Sequence, residues 1–239
     1  MIPWEFIDSA QVPGNGGELS LHKRGAEFSI RVDGDELMNS RAHGSEDALA
    51  ELVCARVARR PRPRILIGGL GMGYTLAATL QQLGARGLVV VAELVPAVVT
   101  WNRGPLSDLA GHPLEDDRVT VRQVDVADII KEKHRAYDAI VLDVDNGPDG
   151  LTRKANDWLY SRAGLDTAYR ALQPAGVLAI WSPSPNRAFA HRLHRVGFEV
   201  NEVPVRARGP RGGRRHTIWL ARRRPRKRTG SSQTHRELG

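Results

Sequence analysis

Between residues 65 and 196 the chain alternates short runs of aliphatic residues with longer segments in which apolar residues recur at helical spacing. The short runs predict strands near residues 65–68, 88–93, 118–123, 138–143 and 176–181. The segments that follow them predict helices near residues 73–84, 95–103, 126–133, 156–172 and 186–196. Continuous Val, Ile and Leu strands separated by helices are typical of a parallel sheet covered on both faces. The pattern therefore predicts an α/β protein.

Two further regions flank this alternating core. Residues 19–32 alternate with period two around a break at Arg24-Gly25, which predicts a hairpin or a small antiparallel sheet. The next segment, "GSEDALAELVCARVA", predicts a leading helix with Ser45 as its N-cap and with one apolar face formed by Leu49, Leu52, Val53 and Val57. Near the other end, "GFEVNEVPV" and "HTIWLAR" predict two strands that close the sheet with an antiparallel edge. We therefore expect a β-hairpin region over residues 1–44 and an α/β domain over residues 45–221.

The charge of the chain is concentrated at its C-terminal end. The net charge is +8, but residues 206–239 hold 12 Arg and Lys residues against one acid, Glu237, so the preceding residues carry a net charge of −3. Residues 222–239 have almost no apolar side chains to bury, which predicts a basic disordered tail. Such a tail can attract nucleic acid or anionic lipid through phosphate contacts, or it can simply be solvated without a partner.

The remaining composition predicts a cytoplasmic protein. The chain has 239 residues, 41% hydrophobic residues and one cysteine, Cys54, so it can bury one core and has no internal disulfide. Residues 1–30 lack the pattern of a signal peptide, and the longest apolar stretch, near residues 87–99, is interrupted by Glu93 and Pro96. We therefore expect no membrane span.

A glycine-rich turn, Gly69-x-Gly71-x-Gly73, follows the first strand of the α/β domain and precedes a helix. Glycine allows the backbone to turn sharply there and lets a ligand approach without a Cβ atom in the way. In open α/β sheets, ligands bind in the crevice at these strand ends. The turn therefore predicts a binding site for a phosphate or a nucleoside, although a tight turn without a ligand would have the same pattern.

Acidic residues follow the next three strands. Glu93 ends the second strand, 20 residues after Gly73, and can accept the hydroxyls of a ribose. Asp125 follows the third strand and can accept from an adenine amino group, or it can cap the next helix. Asp143 and Asp145 follow the fourth strand in "AIVLDVDNG". Because carboxyl ends of parallel strands meet at one edge, these residues predict a nucleoside pocket.

The G-x-G-x-G spacing with these acids resembles the Rossmann-like class I S-adenosylmethionine-dependent methyltransferase fold. Over residues 19–205 the chain is more specifically similar to the spermidine synthase (polyamine aminopropyltransferase) family. The similarity is carried by "ILIGGLGMG", "VVVAELVPAVV", "DDRVTVRQVDVADII", "YDAIVLDVDNGPDG", "LYSRAGLDTAYRALQPAGVLAIW" and "GFEV". It implies a mostly parallel seven-stranded sheet, S-adenosylmethionine or its decarboxylated form as co-substrate and, because dimers are common in the family, a homodimer. No Cys/His cluster accompanies these motifs, so we expect no metal.

The chain departs from the polyamine-binding motifs of that family at three places. The family has an aspartate in the glycine turn where this chain has Gly71, and a Tyr-His pair where this chain has Gly44-Ser45. Its aspartate thought to deprotonate the attacking amine corresponds to Asn146, and an amide is no base. Asp145 lies one residue earlier.

These departures favour methyl transfer from S-adenosylmethionine to a small-molecule acceptor, because a sulfonium needs little acid–base help and reacts mainly through alignment. In this prediction Gly69, Gly71 and Gly73 admit the nucleoside, Glu93 holds the ribose, Asp125 holds the adenine, and Asp143 and Asp145 border the reactive centre. One alternative is aminopropyl transfer from decarboxylated S-adenosylmethionine to an amine, with Asp145 as the base. A second alternative is a non-catalytic protein that binds a nucleoside and uses the basic tail to hold nucleic acid.

Overall fold

The computed structural model describes residues 2–14, 16–144 and 157–225. Asp145 and Asn146 lie outside these residues, as does the tail from residue 226 onward. The described chain forms a four-stranded antiparallel sheet followed by a seven-stranded sheet with helices on both faces.

The elements follow one another as the hydrophobic pattern predicts, with additions at the N-terminus. The strands of the small sheet are β1 (Glu5–Gln11), β2 (Glu18–Arg24), β3 (Glu27–Val32) and β4 (Asp35–Asn39). The strands of the large sheet are β5 (Arg64–Gly68), β6 (Leu88–Ala92), β7 (Val119–Arg122), β8 (Tyr137–Leu142), β9 (Leu172–Ser182), β10 (Glu199–Arg206) and β11 (Arg215–Arg222). The helices are α1 (Gly44–Val57), α2 (Tyr74–Gln82), α3 (Pro96–Arg103), α4 (Val126–Glu132), α5 (Asp157–Tyr160), α6 (Arg162–Ala171) and α7 (Arg187–Val196).

The large sheet has the order β10-β11-β9-β8-β5-β6-β7. Strands β5 to β9 pair in parallel, whereas β11 runs antiparallel between β9 and β10. All six residues of β8 are buried, because helices cover both faces of a central parallel strand. The predicted α/β fold and its antiparallel edge are thus confirmed. The order changes direction beside β5, so the ends of β5, β6 and β8 open into one crevice.

The small sheet is larger than a hairpin. β2 and β3 pair around Gly25 as the alternating pattern predicts, but β1 and β4 extend the sheet on either side. β1 has no buried residue, and a bulge between Phe6 and Asp8 interrupts its pairing with β2. The residues of β1 that pack partly buried against the core, Ile7 and Ala10, are three positions apart, so its sequence lacks the period-two alternation that marks a half-buried strand.

The leading helix begins two residues earlier than predicted, and the predicted N-cap is wrong. His43 is the N-cap of α1, and Ser45 lies buried in the first turn, where its Oγ donates to Glu46 Oε2 at 2.6 Å. The Gly44 amide donates to the Ala207 carbonyl at 2.8 Å, which fixes the start of α1 against β10.

The expected absence of a membrane span and the expected basic tail can be compared with the described residues. Among the described residues no helix is long and apolar enough to cross a membrane. The basic region begins on the folded body, because Arg223 Nη1 donates to the Tyr169 carbonyl at 2.8 Å and its guanidinium stacks on the Tyr169 ring. The cytoplasmic location, the homodimer and the nucleic-acid contact of the tail stay predictions.

Candidate active site at the carboxyl edge of the parallel sheet

A cavity of about 120 Å³ lies where β5, β6 and β8 end. Its polar side is formed by the strand ends, with Gly69, Gly71, Glu93, Asp125 and Asp143. Its other wall is apolar and comes from the small sheet and the connection between β1 and β2, with Val12, Leu19, Ile30, Val32, Leu37 and Met38. The structure therefore brings the acids of three separate strand ends to one cavity. An apolar cavity with a few convergent polar groups is the usual form of a small-molecule site.

Two glycines of the turn allow close approach at this edge. Gly69 has φ of 86°, and a Cβ atom there would lie 2.5 Å from the Asp143 carbonyl oxygen. Gly71 has φ of 53°, and a Cβ atom there would lie 3.1 Å from Met38 Sδ. The thioether of Met38 thus packs over the place from which a side chain at position 71 would extend. Gly73, the N-cap of α2, does not line the cavity and is adjacent to Asn102 instead.

Glu93 joins the glycine turn to the end of β6. It is 7% exposed, and its two carboxylate oxygens accept from the Leu70 and Val95 amides, each at 2.8 Å. A carboxylate oxygen can accept more than one hydrogen bond, so these contacts orient the group and still leave acceptor capacity for hydroxyls. The arrangement suits a ribose.

Asp125 has the capping role that the sequence left open. Its Oδ1 accepts from the Ala127 amide at 2.8 Å, which caps α4. The same residue lines the cavity, so the cap holds its carboxylate at the rim. An oriented carboxylate there can accept from a base amino group, and the two roles are compatible.

A second, smaller cavity of about 40 Å³ adjoins the first. The residues that line both cavities are Met38, Gly71 and Asp143, so these residues mark their junction. The smaller cavity is also lined by Glu46, from the first turn of α1, and by Tyr74, at the start of α2. Its carboxylates are therefore Glu46 and Asp143. Asp143 Oδ2 accepts from Thr75 Oγ1 at 2.7 Å, which fixes its carboxylate at the junction.

The smaller cavity disfavours two negative charges when nothing neutralises them. Burial, together with the charge of Asp143, raises the pKa of Glu46 to about 8. Burial raises the pKa of Asp143 as well, against the lowering effect of the Thr75 hydrogen bond. Burial and the nearby carboxylates of Glu46 and Asp47 raise the pKa of Tyr74 to about 12, so its phenol stays protonated. An enclosed group of this kind is stabilised by a cation.

Sequence reasoning missed Glu46, Met38, Tyr74 and Thr75. Glu46 is 97 residues from Asp143, so their proximity is a tertiary contact without a local pattern. The available signal was the acid beside Ser45, since that segment corresponds to a polar motif of the similar family. Asp145, the predicted base, lies outside the described residues. Among the described residues no group of three or more His, Cys, Asp or Glu could hold a metal ion.

Comparisons with known proteins found one similar sequence and several similar structures, whereas no family model matches the chain. Polyamine aminopropyltransferase 1 of Streptomyces coelicolor is 33% identical to it over 153 residues, which are 61% of this chain and 28% of that relative. The chain thus matches less than a third of the relative's length.

Solved structures extend the likeness to almost the whole chain. Spermidine synthase from Thermotoga maritima superposes with a TM-score of 0.72 at 16% identity, over 91% of this chain and 72% of the other. A spermidine synthase in complex with the transition state analogue AdoDATO has a TM-score of 0.70 at 17% identity, over 91% and 72% of the two chains. A probable spermidine synthase from Corynebacterium glutamicum has a TM-score of 0.61 at 16% identity, over 91% and 79%.

These comparisons contradict methyl transfer, the reaction that the sequence analysis favoured. The similar proteins are named as an aminopropyltransferase and as spermidine synthases. The prediction gave weight to three departures from the family's motifs, at Gly71, Gly44-Ser45 and Asn146, but it did not consider Glu46, which α1 brings to the same cavity as Asp143. The resemblance to the spermidine synthase-like family is therefore confirmed, and the fold of this chain is the fold of the solved spermidine synthases.

Proposed function

We propose that this chain transfers an aminopropyl group from decarboxylated S-adenosylmethionine to a small amine. The observation that carries the proposal is the acidic cavity with Glu46 and Asp143, which adjoins a cavity suited to a nucleoside. Both the acceptor amine and the aminopropyl group are cations, and a cation relieves the burial of these carboxylates. The name of the Streptomyces coelicolor relative supports the same reaction.

In this proposal the larger cavity takes the nucleoside part of the co-substrate. Glu93 accepts the ribose hydroxyls, and Asp125 accepts from the adenine amino group while it caps α4. Gly69 and Gly71 let the ligand approach the backbone, and Gly73 shapes the entry into α2. The apolar wall from the small sheet excludes water from the sulfonium, which makes the neighbouring carboxylates more effective.

The reacting atoms then lie at the junction of the two cavities. The neutral amine nitrogen attacks the methylene carbon attached to sulfur. The C–N bond forms, the C–S bond breaks, and the electron pair of that bond stays on sulfur as a thioether. The ammonium form of the acceptor has to lose one proton before attack. Asp143 borders this point, and Asp145 is our candidate for the group that receives the proton.

A direct assay tests the proposed reaction. Purified full-length protein is incubated with decarboxylated S-adenosylmethionine and putrescine, and spermidine and 5′-methylthioadenosine are measured in equal amounts by mass spectrometry. Asp143→Asn should reduce turnover at least about a hundred-fold, because it removes a charge at the junction. The matched control is Asp166→Asn, an exposed acid on α6 that pairs with Arg170. Absence of spermidine with this and other short di- and polyamines would refute the proposal.

A further inference from the structure

An apolar side chain of the small sheet, Met38, lies over the junction of the two cavities. It lines both of them, and its Sδ and Cε atoms lie 3.1 and 3.2 Å from the place that a Cβ atom at position 71 would take. The glycine turn thus presents bare backbone, but a thioether from another element fills the space above it. The proposed reaction does not by itself explain why an apolar group lies at this point.

The position of Met38 is fixed by contacts on both sides of its strand. Within the small sheet, Met38 of β4 pairs with Ile30 of β3. Two residues later, the Ser40 amide donates to the Phe28 carbonyl at 3.0 Å, and the Ser40 carbonyl accepts from Tyr74 Oη at 3.2 Å. The Met38 side chain also packs, partly buried, against the main hydrophobic core. The end of β4 is therefore held by both the small sheet and α2, which keeps the thioether over the glycine turn.

The two forms of S-adenosylmethionine differ at the carbon that carries the amino group. The intact form has a carboxylate on that carbon, whereas the decarboxylated form has only hydrogen. When the ammonium group faces Asp143, a carboxylate on the same carbon points either to the acids of the junction or to the glycine turn. At the acids it meets like charge, and at the turn it meets the thioether of Met38, which has no hydrogen to donate. A carboxylate that leaves water without a hydrogen bond is strongly destabilised, whereas a methylene is not.

We propose that Met38 is a specificity-determining residue, which makes the site select decarboxylated over intact S-adenosylmethionine by excluding the carboxylate. The inference rests on the proposed function for the class of co-substrate. The methylenes of the aminopropyl group pack against the thioether, and an unbranched methionine side chain adapts well to an alkyl chain. An element that disfavours the wrong ligand is a common source of specificity in proteins. In this chain that element comes from β4 and covers Gly71.

Calorimetric titration of the purified full-length protein with each form of S-adenosylmethionine, without an amine, tests the inference. Wild-type protein should bind the decarboxylated form at least about a hundred-fold more tightly than the intact form. Met38→Lys should reduce this ratio at least about ten-fold, and it should bind the intact form more tightly than wild-type protein does, because its ammonium group pairs with the carboxylate.

Two control variants separate the position of the charge from its presence and the role of Met38 from a structural one. Met38→Leu keeps an apolar side chain of similar size, so the ratio of affinities should stay within about three-fold of wild type. Asp35→Lys places a lysine at an exposed position of the same strand and should behave as wild type. A variant that only loosened the small sheet would weaken both ligands alike and would leave the ratio unchanged.

The outcomes separate this inference from the proposed reaction. A ratio that changes with Met38, in a protein that forms no spermidine, would refute aminopropyl transfer and support the role of Met38. Spermidine formation with the same ratio in wild type and Met38→Lys would refute the role of Met38 alone. If Met38→Lys does not fold, Met38→Ala decides, because it opens the space above Gly71 to water and should lower the ratio at least about five-fold. Equal affinity of the wild-type protein for both forms, or binding of neither, would also overturn the inference.

Discussion

The substitution Glu46→Gln should stabilise the empty protein at alkaline pH. The carboxyl of Glu46 has a pKa of about 8 in the folded protein against 4.5 in the unfolded chain. Between these pH values the unfolded chain has lost the proton that the folded protein still holds, so the free energy of unfolding falls as pH rises. Above pH 8 the charge of Glu46 destabilises the folded protein by its full amount, and below pH 4.5 it has no effect on the free energy of unfolding, because the group is protonated in both states. Glutamine has nearly the same shape and no charge to bury.

The magnitude follows from the size of the shift. A change from 4.5 to about 8 corresponds to at most about 5 kcal/mol. Water can enter the small cavity, and its walls can relax around a charge, so we expect a gain of about 2 kcal/mol for Glu46→Gln at pH 9. In a chain of this length, a gain of that size raises Tm by about 4–8 °C. At pH 4 the variant and the wild-type protein should unfold alike.

Thermal and urea unfolding followed by circular dichroism at pH 4, 7 and 9 measures this difference. Glu51→Gln, at an exposed position on α1, is the control and should leave the pH profile unchanged. If Glu46→Gln lowers the stability at pH 9, or leaves it equal to that of wild type, then the carboxylate is stabilised in the folded protein and our account of the acidic cavity is wrong. Addition of putrescine should reduce the gain, because the cation stabilises only the wild-type site.

Four other predictions follow from named contacts. Glu93→Gln should lower the free energy of unfolding by about 1–3 kcal/mol, because the side-chain nitrogen of glutamine cannot accept a hydrogen bond from one of the two backbone amides. It should also weaken the binding of 5′-methylthioadenosine, measured by calorimetry. An unchanged affinity would exclude Glu93 as the ribose ligand. Asp125→Ser keeps a side-chain oxygen that can cap α4, so Tm should change by less than about 2 °C while the affinity for the nucleoside falls several-fold. An unchanged affinity would mean that Asp125 caps the helix and does not bind the ligand. Gly69→Ala should destabilise by more than about 2 kcal/mol in urea, because its Cβ atom would meet the Asp143 carbonyl; a neutral effect would mean that the turn yields easily. Removal of residues 226–239 should leave Tm unchanged and should abolish any salt-sensitive binding of nucleic acid measured by fluorescence anisotropy. Binding that persists in the shortened protein would show that the tail is not responsible for it.

The fold was predictable because the strong signals are local. Each buried parallel strand is a short aliphatic run, and helices such as α6 and α7 have a strongly one-sided apolar pattern, so the order of elements can be recognised before any contact is known. The break between α5 and α6 was not predicted, although Ser161 caps α6 by accepting from the Gly164 amide at 3.1 Å. The periodicity continues across that break, so a single helix over residues 156–172 was expected.

The site was predictable only where it follows from the strand order. Glu93, Asp125 and Asp143 could be assigned to one edge because each follows a parallel strand. Glu46 could not, because the packing of α1 against α2 and against the large sheet determines its position, and no sequence spacing records that packing. The sequence analysis therefore counted the carboxylate missing at Gly71 without the carboxylate that Glu46 adds to the same cavity.

The apolar wall of the larger cavity belongs to a sheet that is separate from the strands carrying the acids. A nucleoside bound there would fill a gap in the interface between these two layers and would become part of their common core. Opening of the small sheet would then require release of the ligand, so amide hydrogen exchange in residues 18–39 should slow in proportion to occupancy. The small sheet would thus report most directly whether the larger cavity is filled.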